Sequence, residues 1–305
     1  MKVIHDLGQA SVEREAVLTI GTFDGLHLGH QSLLERLMRS AQDANRLSGV
    51  VTFDPPPRML LAPDSNTMCL TTIEDKIELL QGWGLDLLVI VPFTWEVVRT
   101  SARDFMWPLC DRLHMVELWI GWDFALGRGR EGDAPVLQRL GQEMGFAVHV
   151  IEPVTEGADA ISSTRIRNLL SAGRVHEAAE MLGRYYQIKG VVVPGVGQDR
   201  GVGYPTANLT FHKVCTLPGS GIYAAYAVAS GRRYPAVANI GTRPTFGEGA
   251  PTVEVHLLDF VGDLQGERLR VQFVERLRDE RRFASAKALH AQIKKDISRA
   301  REVLE

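Results

Sequence analysis

The first half of the chain alternates short apolar runs with longer stretches whose apolar residues recur every three or four positions. Ala16–Ile20, Ser48–Phe53, Leu87–Val91, Val116–Ile120 and Phe146–Ile151 are runs of the first kind and predict buried strands. Leu33, Leu34, Leu37, Met38, Ala41 and Ala44 fall at helical spacing and predict a helix from Leu28 to Asn45; Ala134–Met144 predicts another. Thr71 and Glu74 stand at capping-box spacing ahead of a helix that runs to Leu80. Apolar strands that alternate with amphipathic helices predict a parallel sheet with helices on both faces.

Near residue 185 the pattern changes. Two short helical stretches, Ser163–Ala172 and Val175–Leu182, close the first part. Strand-like segments follow at Ile188–Val193, Ile222–Ala229, Ala236–Ile240, Val253–Leu258 and Leu269–Phe273. Gly/Pro turns separate them, which predicts a small antiparallel barrel or sandwich. A last helix is expected over Ser285–Leu304. The expected architecture is therefore an α/β domain over 1–184 and a small β domain with a terminal helix over 185–305.

Composition narrows the function classes. The 305 residues leave room for two domains. Lys+Arg 34 against Asp+Glu 37 gives a net charge of −3, so no overall basic field gathers nucleic acid. No apolar run reaches the roughly 20 residues that span a bilayer, and the N-terminus lacks a signal-peptide layout. Cys69, Cys110 and Cys215 are too scattered for a disulfide framework or a CxxC metal site. The expectation is a cytoplasmic protein acting on small molecules, without nucleic-acid or membrane partners; an oligomer is compatible with the sequence, but no interface is legible in it.

Gly21–His30, GTFDGLHLGH, follows a buried strand and opens a helix. Ligands of open α/β sheets bind at the carboxyl ends of the strands, where helix N-termini favour phosphate. Gly21, Gly25 and Gly29 allow close backbone approach. His27 and His30, three apart, share one face of the first turn and can donate hydrogen bonds to oxygens that gain charge in a transition state. Taken alone, HxxH favours metal ligands or plain helix-start residues; the glycines, the preceding strand and the His-x-Gly-His spacing together reverse that. No Gly-Lys-Ser/Thr follows, so this is not a Walker phosphate loop. ISSTRIR, Ile161–Arg167, starts another helix with capping hydroxyls and an arginine four residues after Ser163. GWDFALGRGREGD, Gly121–Asp133, reads as a loop over a ligand site or as an ordinary surface loop. In the second half, GYPTANL offers the hydroxyl of Thr206 and the amide oxygen of Asn208, hard donors of the kind Mg²⁺ takes. Pro205 makes this stretch read as a rigid turn. Gly195 and Gly203 lie in a glycine-rich stretch upstream that could wrap phosphates. In VEVHLLD, Glu254 and His256 take the side opposite Val253, Val255 and Leu257.

GTFDGLHLGH, GWDFALGRGREGD and ISSTRIR, in this order, resemble the adenylyltransferase half of the bifunctional prokaryotic riboflavin kinase/FAD synthetase family. GYPTANL, LPGSGIYA, NIGTRPTF and VEVHLLD resemble its riboflavin kinase half. The resemblance implies a Rossmann-like nucleotidyltransferase domain followed by a small antiparallel β-barrel with a terminal helix. It implies that FMN and ATP give FAD and pyrophosphate, and that riboflavin and ATP give FMN, with Mg²⁺. His27 and His30 would then bind the ATP phosphates, and Ser163, Thr164 and Arg167 would clamp them. Gly21, Phe23, Asp24 and Gly29, with Asp123 and Phe124, would line the nucleotide and flavin pockets. Thr206 and Asn208 would hold Mg–ATP, aided by Gly195 and Gly203, and Glu254 would be the general base. The chain departs from the family at Pro56, Asp199, Tyr185 and Gln265. An enzyme active in the first half alone, or a flavin-binding regulator, are the other readings.

Overall fold

The computed structural model describes residues 1–63, 68–194, 206–211, 215–242 and 251–305. The backbone packs as two units, Met1–Ser163 and Thr164–Glu305.

The first unit contains β1 (Lys2–His5), β2 (Ala16–Ile20), α1 (Leu28–Asp43), β3 (Leu47–Asp54), α2 (Pro57–Leu61), α3 (Ile73–Gly82) and β4 (Leu87–Pro92). It continues with α4 (Trp95–Arg99), α5 (Ala102–Leu113), β5 (Met115–Gly121), α6 (Ala134–Met144), β6 (Ala147–Ile151) and the two-residue strands β7 (Thr155–Glu156) and β8 (Asp159–Ala160). Six strands form one sheet in the order β1-β4-β3-β2-β5-β6, all pairs parallel. Successive residues of the central strands point to opposite faces, and both faces are covered. Leu18, Val51 and Val89 meet Met106 and Leu109 of α5 and Leu137 of α6. Val17, Val50 and Leu88 meet Leu34 and Leu37 of α1 and Leu80 of α3. That is why these strands read as unbroken apolar runs.

Two local details differ from expectation. β1 adds an edge strand, paired in parallel with Leu87–Ile90. The cap of α3 is Thr72, whose hydroxyl accepts from the Asp75 N–H at 3.1 Å, rather than Thr71 with Glu74. The Thr71 hydroxyl is engaged elsewhere, accepting from the Gly25 N–H at 3.1 Å.

The second unit contains α7 (Ser163–Ser171, whose first residue closes the first unit), α8 (Val175–Leu182), β9 (Tyr186–Val193), β10 (Ala207–Thr210), β11 (Gly221–Ala229), β12 (Arg232–Thr242), β13 (Pro251–Leu257), β14 (Arg268–Arg278) and α9 (Ala286–Leu304). Its strands close into a barrel in the order β10-β13-β12-β11-β14-β9, every pair antiparallel. Small buried residues, Ala225, Ala227, Ala236 and Ala238, suit so narrow an interior. Ala300 and Leu304 of α9 cover Ala224 and Val274 on the outside. Ala207–Thr210 is a barrel strand rather than part of a turn, because its backbone pairs with β9 on one side and β13 on the other. Pro205, Gly195, Gly203 and Asp199 lie outside the described residues.

Candidate active sites

In the sheet of the first unit, β3 and β4 extend to one side of β2, while β5 and β6 extend to the other. The strand order therefore reverses between β2 and β5, and the carboxyl ends of those two strands flank the crevice where open α/β sheets bind ligands. Both predicted loops are here: GTFDG follows β2 and GWDFALGRGREGD follows β5.

The loop after β2 is backbone-strained. Phe23, Gly25 and Leu26 have φ of 46°, 79° and 43°, a region that suits glycine but costs the two side-chain-bearing residues roughly 1–3 kcal/mol each. The surroundings hold it in place. The Asp24 carboxylate, 5% exposed, accepts from the N–H groups of Leu70 at 2.8 Å and Thr71 at 3.2 Å. The hydroxyl of Ser163, the last residue of this unit, donates to the Asp24 carbonyl at 2.8 Å. His27 is the N-cap of α1. Its ring stacks on that of His30 with centroids 3.7 Å apart, and Phe23 lies 5.0 Å from His30. A Cβ on Gly29 would stand 3.2 Å from the His27 ring, and one on Gly21 would stand 3.1 Å from the Phe23 ring. These two glycines make room for the protein's own rings.

The structure thus brings together Gly21, Phe23, Asp24, His27, Gly29, His30 and Ser163. Thr164 and Arg167 sit on the first turns of α7, in the second unit. Asp123 is exposed just past β5, and its carbonyl accepts from Arg130 Nη2 at 3.0 Å. Phe124 is half-buried against the core. The rest of that loop is pinned by a Leu126–Gly132 backbone pair and by the Glu131 carboxylate, which accepts from the Ala102 N–H at 2.9 Å.

In the barrel, Glu254 and His256 alternate with buried Val253, Val255 and Leu257, as the pattern predicts. Register aligns Glu254 with Asn208 of β10 on one side and Asn239 of β12 on the other. All three are half-buried and alternate with inward-facing residues, so they form one polar row on the outer barrel surface. Thr206 directly precedes β10 and is also half-buried. Thr206, Asn208 and Glu254 together supply a hydroxyl, an amide oxygen and a carboxylate. No cluster of three or more His, Cys, Asp or Glu suited to a metal occurs among the described residues.

Two participants carry no local sequence signal. Asn239 joins the row through cross-strand register, and its Oδ1 is buried without a hydrogen-bond partner among the described residues. Lys76 lies beneath the loop after β2, 3% exposed. Burial lowers its pKa, while Asp24, Asp54 and Cys69 act in the opposite sense.

Comparison with known proteins covers both units. Residues 9–165 match the FAD synthetase family and residues 182–304 the riboflavin kinase family. The bifunctional riboflavin kinase/FMN adenylyltransferase of Escherichia coli K12 is 39% identical over 301 residues, spanning 98% of this chain and 96% of that protein. The protein of the same description from Pseudomonas fluorescens is 39% identical over 304 residues, 99% of this chain and 97% of its own length. The crystal structure of a macrolide-efflux protein from Streptococcus pneumoniae matches with a TM-score of 0.91 at 28% identity, covering 98% of each chain. Among the described residues, no helix is long and apolar enough to cross a membrane.

Proposed function

The chain belongs to the bifunctional riboflavin kinase/FMN adenylyltransferase family, and from that premise we propose how its residues divide the two reactions. Residues 1–184 carry adenylyl transfer and residues 185–305 carry riboflavin phosphorylation. The setting is the cytoplasm, and the partners are ATP, riboflavin and FMN.

In adenylyl transfer, a phosphate oxygen of FMN attacks the α-phosphorus of ATP, and the bond to the β-phosphate oxygen breaks to release pyrophosphate. His27 and His30 donate hydrogen bonds to phosphate oxygens as charge builds on them, the interaction that lowers such barriers most. Neither needs to take up a proton. Gly21, Phe23, Asp24 and Gly29 shape the floor of the nucleotide site. Ser163, Thr164 and Arg167 clamp the triphosphate at the start of α7, and Asp123 and Phe124 border the flavin.

In phosphorylation, the Glu254 carboxylate accepts the proton of the riboflavin 5′-hydroxyl as that oxygen attacks the γ-phosphorus. Thr206 and Asn208 offer the hard oxygen donors that suit Mg²⁺. When bound, that cation offsets phosphate charge. Gly195 and Gly203, which the resemblance assigns to ATP binding, lie outside the described residues.

The observation that carries this reading is the register that sets Glu254 beside Asn208 in the barrel, while the stacked histidines stand at the reversal point of the sheet. Incubation with riboflavin, ATP and Mg²⁺, followed by separation of the flavins, tests it. Both FMN and FAD are expected. FMN without FAD, or FAD only from added FMN, would confine activity to one unit, and neither product would overturn the reading.

A further inference from the structure

We propose that Lys76 is a positioning residue for adenylyl transfer: its ammonium group fixes the entry to the strained loop that carries the histidine pair. The inference rests on the reading of that pair as the adenylyl-transfer site.

Lys76 stands on the first turn of α3, yet its side chain points into the unit. Nζ donates to the Thr22 carbonyl at 2.5 Å and to the Thr52 hydroxyl at 3.1 Å. The Thr52 hydroxyl, wholly buried near the end of β3, also donates to the Thr22 carbonyl at 3.3 Å. A leucine or methionine would fill this slot without burying a charge, so a lysine here incurs a desolvation cost that packing alone does not require. What it provides is a fixed point. Thr22 is followed at once by the three left-handed residues Phe23, Gly25 and Leu26, then by His27. The far side of the loop is held by Leu70, Thr71 and Ser163 through Asp24 and Gly25. The near side is held by Lys76 and Thr52 through one carbonyl. Gly21 stays paired to the Val51 carbonyl through its N–H at 3.0 Å, but from Thr22 onward a loop strained at Phe23 and Leu26, without Lys76 and Thr52 on its near side, would relax and carry the His27 ring with it.

The imidazoles must meet phosphate oxygens in the transition state, and a misplacement of about 1 Å costs about 10²-fold in rate. Lys76→Met keeps the length of the side chain and removes its donor. The expected result is a fall of about 10²-fold in kcat for FAD formation from added FMN, with KM for ATP and FMN within about threefold of the parent. Riboflavin phosphorylation by the same polypeptide should be unchanged. Thr52→Val, near-isosteric, should lower the same kcat by about tenfold. The double variant should lose less than the product of the two losses, because both groups act on one carbonyl.

A Lys76→Met protein that keeps kcat within about threefold, while His27→Ala abolishes FAD formation, overturns the inference and leaves the reading of the site intact. FAD formation that survives His27→Ala as well would overturn both. If Lys76→Met does not fold, Thr52→Val decides. An unchanged kcat there, or a loss that only follows a lowered unfolding temperature, assigns both residues to the core and overturns the proposal.

Discussion

Replacing Asp24 by alanine tests the frame of the proposed adenylyl-transfer site quantitatively. The carboxylate is 5% exposed and accepts hydrogen bonds from two backbone N–H groups, of Leu70 at 2.8 Å and Thr71 at 3.2 Å. Alanine leaves both donors without that acceptor in a buried place. Each such orphan costs about 1–3 kcal/mol. Lys76 also loses one of the negative groups that favour its charged form. Taking the low end for the longer bond, the sum is about 3 kcal/mol. For a unit of this size that corresponds to a fall of about 6–12 °C in the midpoint of its unfolding. Asp24→Asn keeps an acceptor oxygen in place and removes only the charge, so it should fall by about a third of that. Calorimetry of the full chain, with the barrel's transition as internal reference, reads both numbers. FAD formation should drop in Asp24→Ala while riboflavin phosphorylation persists. A midpoint within about 1 °C of the parent would refute the reasoning. So would equal losses in the alanine and asparagine variants, because the hydrogen bonds would then not carry the effect.

Two further outcomes follow from other parts of the first unit. Burial raises the pKa of Glu117, but hydrogen bonds from Ser40 and Trp119 and the charges of His149 and Arg46 outweigh it and hold the carboxyl below its usual 4.5. A carboxyl lowered in the folded state stabilises the fold above the unfolded value, and that contribution is lost as pH falls through the folded one. Glu117→Gln should therefore melt earlier at pH 7 and lose less on acidification below 4.5; an acid limb as steep as the parent's would contradict this. In α6, Gly141→Ala should lower the melting temperature, although alanine usually gains up to about 1 kcal/mol in a helix. The added Cβ would stand 2.4 Å from the Phe146 carbonyl oxygen, so a stabilised variant would show that this turn shifts freely.

What could be read from the sequence follows from what is local. β2, β3 and β4 were legible because helices cover both faces and leave unbroken apolar runs. β1 was not, since only Ile4 of its four residues is buried. β10 resembled a turn because Asn208 and Thr210 face outward and Pro205 precedes it; its strand character comes from partners far along the chain. Thr71 and Thr72 are equally good caps by sequence, and the choice between them is made by the Gly25 N–H, 46 residues away. His27 and His30 announced themselves by spacing. The alignment of Asn208, Glu254 and Asn239 did not, because register across three strands has no local signature. Lys76 stayed hidden for a similar reason: a lysine on an amphipathic helix reads as solvent-facing, and only the fold reveals the carbonyl it meets.

The central claim is that one chain holds two independent chemistries, and reciprocal variants test it most directly. The His27→Ala, His30→Ala protein and the Glu254→Ala protein are each given ATP and Mg²⁺, once with riboflavin and once with FMN, and the flavins are separated. The first should make FMN from riboflavin and no FAD from either flavin. The second should make no FMN from riboflavin but still convert FMN to FAD. Loss of both products in either variant, or FAD formation that survives removal of both imidazoles, would contradict the account.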